Sequence, residues 1–279
     1  MNKQHILTLT FFFSTFLLNT IYGQNKSDTL TTFETIKYDG VSIFNGITHT
    51  YSRPFHWQHD DFVTLSQVAL GAAFVFAFDD PLNEAFNKQN EDIPQLVKDV
   101  GFRFGKPLFN YGMTTGIYTI GLLAKSEKIR RTGVLLITAN TTGGLLQTLT
   151  KTVAGRARPA AGAKTDWRPF DNSAEYHSFP SGHAILAFTT MYALSKQFES
   201  KWIKAGLLAL GSITPISRMW ANQHWASDVF LGIAISIFTV DSADNYLKKS
   251  QRYAQDHNLN KISWRFTAGA GQVGVIGTF

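Results

Sequence analysis

The chain has 279 residues, 44% hydrophobic and 14% aromatic, with 26 Lys and Arg against 20 Asp and Glu, and no cysteine. That length suits one large domain or two small ones with a sizeable buried core. A formal charge of +6 draws anionic substrates or an acidic membrane surface. A nucleic-acid partner is not expected, because there is no basic tract interleaved with aromatics and no zinc-finger or helix-turn-helix spacing. With no cysteine and no carboxylate cluster, no metal or other cofactor is expected, and the chemistry falls to side chains.

In chain order, Lys3 and His5 precede an apolar run over residues 6–18, followed by small and polar residues. This predicts an export signal over 1–23, with an uncleaved anchor as the alternative. Residues 24–60 are polar and aromatic and read as an irregular lead-in. Helical apolar segments follow over 62–78, ended by Asp79, Asp80 and Pro81, then over 107–125, 132–151, 184–197, 205–216 and 229–240. Six such segments with short connections predict an all-α domain over 61–250, a compact bundle of about six core helices. The Gly-rich tail, 251–279, carries one candidate strand. In the shorter runs a dozen residues of helix cover only ~18 Å of a ~30 Å hydrocarbon core, while 62–78 alone is apolar enough to insert. An exported domain of the periplasm or cell envelope, soluble or lying against a membrane, is therefore expected. The alternative is an integral membrane protein with its site at the outer face.

Three blocks carry the chemistry. The first runs from Lys151 to Arg158 and Pro159. The second is Pro180-Ser181-Gly182-His183. The third holds Ser217, Arg218, His224 and Asp228. Lys151, Arg158 and Arg218 suit a phosphate clamp, since Arg offers a planar fork to phosphate oxygens and Lys a point charge. Ser181 and Gly182 precede an apolar run, so free N–H groups at a helix start can face an anion there, with Gly182 allowing close approach. His183 beside that anion can give a proton to a departing oxygen. His224 and Asp228 share a helix face at i, i+4, which lets the carboxylate orient the ring and support the charge that grows as it attacks phosphorus. Taken singly, each motif has an ordinary reading as a cap, a helix-end cation or a core histidine.

Together, in order and spacing, the blocks give Lys-x6-Arg-Pro, Pro-Ser-Gly-His and Ser-Arg-x5-His-x3-Asp, with all eleven positions filled. This resembles the type 2 phosphatidic acid phosphatase superfamily, which also includes class A acid phosphatases and vanadium haloperoxidases. The resemblance implies an all-helical fold, no metal, His224 as nucleophile forming a phosphohistidine, Asp228 as its partner, and His183 as general acid. It assigns phosphate binding to Lys151, Arg158, Ser181, Gly182 and Arg218.

The implied function is hydrolysis of a phosphomonoester or pyrophosphate, on a lipid or a small molecule. A vanadium-dependent haloperoxidase and a non-catalytic receptor for phosphate or a lipid headgroup stand as alternatives. The two histidines must act in opposite protonation states, so a bell-shaped pH profile is expected. His49, His56, His59, Asp60 and Asp61 lack helical metal-ligand spacing and are expected to face solvent. His177 is not assigned a role. Trp167, Trp220 and Trp225 are expected to pack. Neither the substrate's identity nor the oligomeric state is legible.

Overall fold

The structure, a computed structural model, describes residues 31–249, Tyr253, 263–269 and 272–278. The expected export signal, 1–23, lies outside the described residues. Nine α-helices are present among them: α1 (Thr32–Ser52), α2 (His59–Ala77), α3 (Asp79–Gln89), α4 (Gln95–Phe104), α5 (Pro107–Leu123), α6 (Glu127–Ala154), α7 (Gly182–Ser195), α8 (Lys201–Trp220) and α9 (Ala226–Lys249). Helix α6 is the spine. Its Val134, Leu135 and Leu136 are fully buried in a cluster with Ile117 of α5 and Val240, Ala243 and Leu247 of α9. Burial of this kind contributes roughly 1.5–3 kcal/mol per large side chain.

The all-α bundle agrees with the sequence reading, but three details differ. The segment expected to be an irregular lead-in contains α1, 21 residues long. It opens with a capping box: the Thr31 hydroxyl accepts from the Glu34 N–H (3.2 Å), while Glu34 Oε2 accepts from the Thr31 N–H (2.8 Å). Its inward stripe is Thr35, Asp39, Ser42, Gly46 and Thr50, and its apolar Phe33, Ile36, Val41 and Phe44 face outward. The helical period is there in polar residues, so a search for apolar periodicity passes over it.

Helix lengths are the second difference. Polar and charged residues at each end extend 229–240 into the 24-residue α9, and three residues added at its start take 62–78 into the 19-residue α2, which ends at Ala77. At 1.5 Å per residue these span about 36 and 28 Å, so the length argument against crossing a bilayer does not hold. Both helices are long and apolar enough to cross a membrane, and α2 has no buried residue while α9 is half buried.

The third is the tail. Instead of one strand it has two, β1 (Ser263–Gly269) and β2 (Gln272–Thr278), paired antiparallel with Ser263 opposite Thr278 and Gly269 opposite Gln272. Two apolar alternations with Gly269 between them read as one strand when their pairing is not counted.

Candidate active site

The site forms where α6, α7, α8 and the start of α9 meet. Helix α6 ends at Gly155, whose φ of 58° is left-handed and whose Cβ, if present, would lie 1.7 Å from the Arg168 carbonyl oxygen. Only glycine fits this C-terminal position. The chain then turns away, leaving Lys151 on the last helical turn and Arg158 a few residues beyond. Ser181 caps α7, its hydroxyl accepting from the Ala184 N–H at 3.4 Å, and puts His183 in the first turn. Arg218 lies near the C-terminal end of α8. Asn222, with a φ of 55°, turns the chain so that Gln223 and His224 face back toward Arg218 and Arg158. The Gln223 N–H donates to the Arg218 carbonyl (3.0 Å) and Arg158 Nη1 donates to Gln223 Oε1.

These elements enclose a cavity of about 250 Å³ lined by Lys151, Arg158, Gly182, His183, Arg218 and His224, joined by Gln147, His177 and Gln223. Six of the eight residues singled out in the sequence thus share one wall. Ser181 and Asp228 do not line it; both are fully buried behind it. Gly182 makes the closest approach to Gln147, since a Cβ there would meet Gln147 Oε1 at 2.4 Å.

The two histidines are held differently. His224 is buried, and its Nδ1–H donates to the Ser178 carbonyl at 2.7 Å, leaving Nε2 as the unprotonated lone pair of a neutral ring. Asp228 Oδ2 is 3.9 Å from Nδ1, outside hydrogen-bond reach. The Ser178 carbonyl therefore fixes the tautomer directly, and Asp228 acts through Ser178, accepting its hydroxyl at 2.5 Å and the Trp225 N–H at 3.0 Å. His183 stacks on Phe102, with ring centroids 5.6 Å apart and planes 14° from parallel. Its Nε2 is buried without a hydrogen-bond partner, as are the Nε atoms of Arg158 and Arg218. Three such donors or acceptors around one cavity are the mark of a polar ligand site, since an unsatisfied buried polar group costs roughly 1–3 kcal/mol.

Electrostatics point the same way. Burial, then repulsion by Arg158, brings Lys151 down to about 8. Burial and Arg158 push Arg218 down to about 10. Burial, followed by Arg218 and the other cations, pushes His183 down to about 3, and burial takes His224 to about 4. The pocket thus carries more positive charge than it can comfortably hold and favours an anion.

Both histidines are neutral in the folded chain at pH 5–6, whereas in the unfolded chain they protonate near pH 6.5. The unfolded state therefore binds more protons between about pH 6.5 and 4, and stability falls as pH falls through that window. A bound phosphate offsets this by pairing with the cations. Melting curves should show Tm falling from pH 7 to pH 5, with millimolar phosphate raising Tm more at pH 5 than at pH 7. An equal rise at both pH values would contradict this electrostatic picture.

Several residues with no assigned role in the sequence reading also contribute. Arg156 is 1% exposed and held by Asp79 (2.7 Å), Asp228 (2.6 Å) and Ser227 (2.8 Å). Asp79, read as a helix stop, is fully buried. Lys151 Nζ donates to the His177 carbonyl at 2.5 Å. Trp225 packs as expected, its Nε1–H donating to the Ala157 carbonyl at 2.9 Å.

Residues 132–245 match the PAP2 superfamily. A lipid A 1-phosphatase from Rhizobium etli is 26% identical over 202 residues, covering 65% of this chain and 81% of the relative. A lipid A 1-phosphatase from Porphyromonas gingivalis is 41% identical over 63 residues, 22% of this chain and 14% of that protein. The crystal structure of a transmembrane PAP2-type phosphatidylglycerolphosphate phosphatase from Bacillus subtilis aligns with a TM-score of 0.49 at 20% identity, covering 67% of this chain and 97% of that one. The resemblance to the PAP2 superfamily and the phosphatase assignment implied by the three blocks are borne out.

Proposed function

We propose that this chain removes a terminal phosphate from a membrane lipid through a phosphohistidine at His224. The observation that carries the reading is that the free Nε2 side of His224 and the ring of His183 share one cavity with Lys151, Arg158 and Arg218. The three cations and the N–H groups at the start of α7 hold the phosphate oxygens. The His224 Nε2 lone pair forms the N–P bond as the P–O bond to the leaving group breaks. The electron pair goes to the leaving oxygen, which takes its proton from His183. In the second half, water attacks phosphorus, His183 takes its proton, the N–P bond breaks, and inorganic phosphate departs. His183, neutral in the free pocket, gains its proton once a phosphate dianion offsets the surrounding cations.

A lipid substrate is supported by the relatives' names and by the surface. Helix α2 is apolar yet has no buried residue, with Leu70 72% and Phe74 67% accessible. Phe33 and Phe44 of α1, Leu108 and Leu123 of α5, and Leu145 and Leu149 of α6 are exposed too, while polar residues such as Asn110, Asn140 and Thr190 are buried. Apolar side chains exposed on the outside, with polar residues buried inside, suit a bilayer. We place α2 within the membrane and the site at its outer face, consistent with an export signal over 1–23. Alkaline carbonate washing should leave the protein in the membrane pellet; release into the supernatant would contradict this placement.

The test of function is a phosphate-release panel on the detergent-purified chain with lipid phosphomonoesters, lipid pyrophosphates and soluble esters, in the presence of a chelator. Lipid esters should be turned over with the highest kcat/KM. Release from soluble esters alone would overturn the lipid assignment, and release from none would overturn the phosphatase reading.

A further inference from the structure

Behind the nucleophile lies a buried charge relay with no contact to the cavity. Arg156 reaches three ways from the segment after α6. Nη1 donates to Asp228 Oδ1 (2.6 Å) and the Ser227 hydroxyl (2.8 Å), Nη2 to Asp79 Oδ2 (2.7 Å), and Nε to the Lys164 carbonyl (3.1 Å). Asp79, at the start of α3, also accepts the Ser227 N–H (2.9 Å) and hydroxyl (2.6 Å) at the start of α9. Asp228 passes the connection on through the Ser178 hydroxyl (2.5 Å), and the Ser178 carbonyl holds His224 Nδ1 (2.7 Å). The Arg156 carbonyl accepts the Ser178 N–H (3.1 Å), so one residue grips that segment by backbone and, through Asp228, by side chain. Asp79, Arg156, Ser178, Asp228 and His224 are each no more than 3% exposed.

From this geometry we propose that Arg156, backed by Asp79, is the positioning residue for the nucleophile: it fixes Asp228 and Ser178 so that His224 presents Nε2 to phosphorus. The proposal rests on the phosphohistidine reading above. Two carboxylates against one guanidinium leave the cluster with one net negative charge on the Nδ1 side of His224, opposite the cationic clamp. That charge stabilises the positive ring as the N–P bond forms. A lysine at 156 keeps the charge and cannot fork to Asp79, Ser227 and Asp228 at once.

The experiment compares the full-length wild-type chain with Arg156→Lys, using p-nitrophenyl phosphate for kcat and inorganic phosphate for its inhibition constant. The expected result is a kcat lower by on the order of 10²-fold, the scale of a misplaced reacting group, with the phosphate inhibition constant within about threefold because the clamp is untouched. Arg131→Lys is the structural control. Arg131 pairs with Asp244 at 2.7 Å, about 30 Å along α6 from Lys151, and this variant should lose Tm but keep kcat. Should Arg156→Lys fail to fold, Ser178→Ala removes only the hydroxyl linking Asp228 to the segment that holds His224, and should lower kcat about tenfold with phosphate inhibition unchanged. A folded Arg156→Lys with kcat within threefold of wild type overturns the proposal, as does equal loss of kcat and phosphate binding. So does a Ser178→Ala enzyme of undiminished kcat when Arg156→Lys does not fold. A wild-type chain that releases no phosphate from any ester instead overturns the phosphatase reading, and this assignment with it.

Discussion

Replacing His224 with alanine should lower kcat by about 10⁴-fold or more, while inorganic phosphate still binds within about tenfold of its wild-type affinity. The separation follows from geometry. Lys151, Arg158 and Arg218 reach the cavity from α6, the segment after it and α8, none of them held by the His224 ring, so the clamp survives loss of the nucleophile. The buried ring leaves behind only the Ser178 carbonyl without its donor. Steady-state kinetics and calorimetric phosphate titration on the same preparation check both halves. Residual turnover above about 1% of wild type would move the nucleophile elsewhere, either to a water or to another side chain.

Replacing His183 with alanine should produce a loss that depends on the leaving group. General acid catalysis contributes roughly 10²–10⁴-fold when the departing oxygen must be protonated. An alkyl phosphate, or a lipid with an alcohol leaving group, needs that proton. The p-nitrophenolate ion leaves without it. The variant should therefore lose about 10³-fold on an alkyl phosphate and less than about tenfold on p-nitrophenyl phosphate. Equal losses on the two esters would show that His183 acts by holding the phosphate, not by giving a proton. Its setting admits the acid role: Phe102 covers one face, Gly105 packs against its Cβ, and Nε2 has no protein partner among the described residues.

The three sequence blocks located the cavity wall because each one sits at a helix end, where spacing translates directly into position. Lys151 lies on a last turn, His183 on a first turn, and Arg218 one turn before a reversal. What spacing did not reveal was how the wall is supported. Asp79 lies 77 residues before Arg156 and 149 before Asp228, and local pattern assigned it to ending a helix. Arg156 lies two residues from Arg158 in a basic segment, yet Arg158 faces the substrate cavity and Arg156 is buried. No signal within either segment separates them, because the difference is made by Asp79 arriving from another helix. Ser178 was passed over because its decisive group is a backbone carbonyl, which every residue has. The role expected of Asp228 was direct contact with the His224 ring, as i, i+4 spacing suggests. His224 lies ahead of α9, which begins at Ala226, so the two share no helix face; Asp228 stays 3.9 Å from the ring and Ser178 takes the bond.

The same limit applied to α1. Its inward residues are Thr35, Asp39, Ser42 and Thr50, where a water-soluble bundle would have apolar ones, so its period is visible only to a search for polar stripes. Asp39 is satisfied in place by Arg130 Nε (3.1 Å) and the hydroxyls of Tyr118 (3.0 Å) and Tyr253 (2.7 Å), three partners from distant parts of the chain. Apolar runs also marked helix centres and not helix ends. The run 229–240 stops at charged residues that lie inside α9: Asp228 accepts the Trp225 N–H at the helix start, and Asp241, within the helix, pairs with Lys196 at 2.6 Å.

Rapid acid-free quenching of the purified enzyme during turnover of a ³²P-labelled ester, followed by peptide mapping, bears most directly on the bond between phosphorus and imidazole. The label should be stable in alkali, labile in acid, confined to the peptide containing His224, and missing from the His224→Ala protein. A label that survives acid, or maps to any other residue, would contradict it.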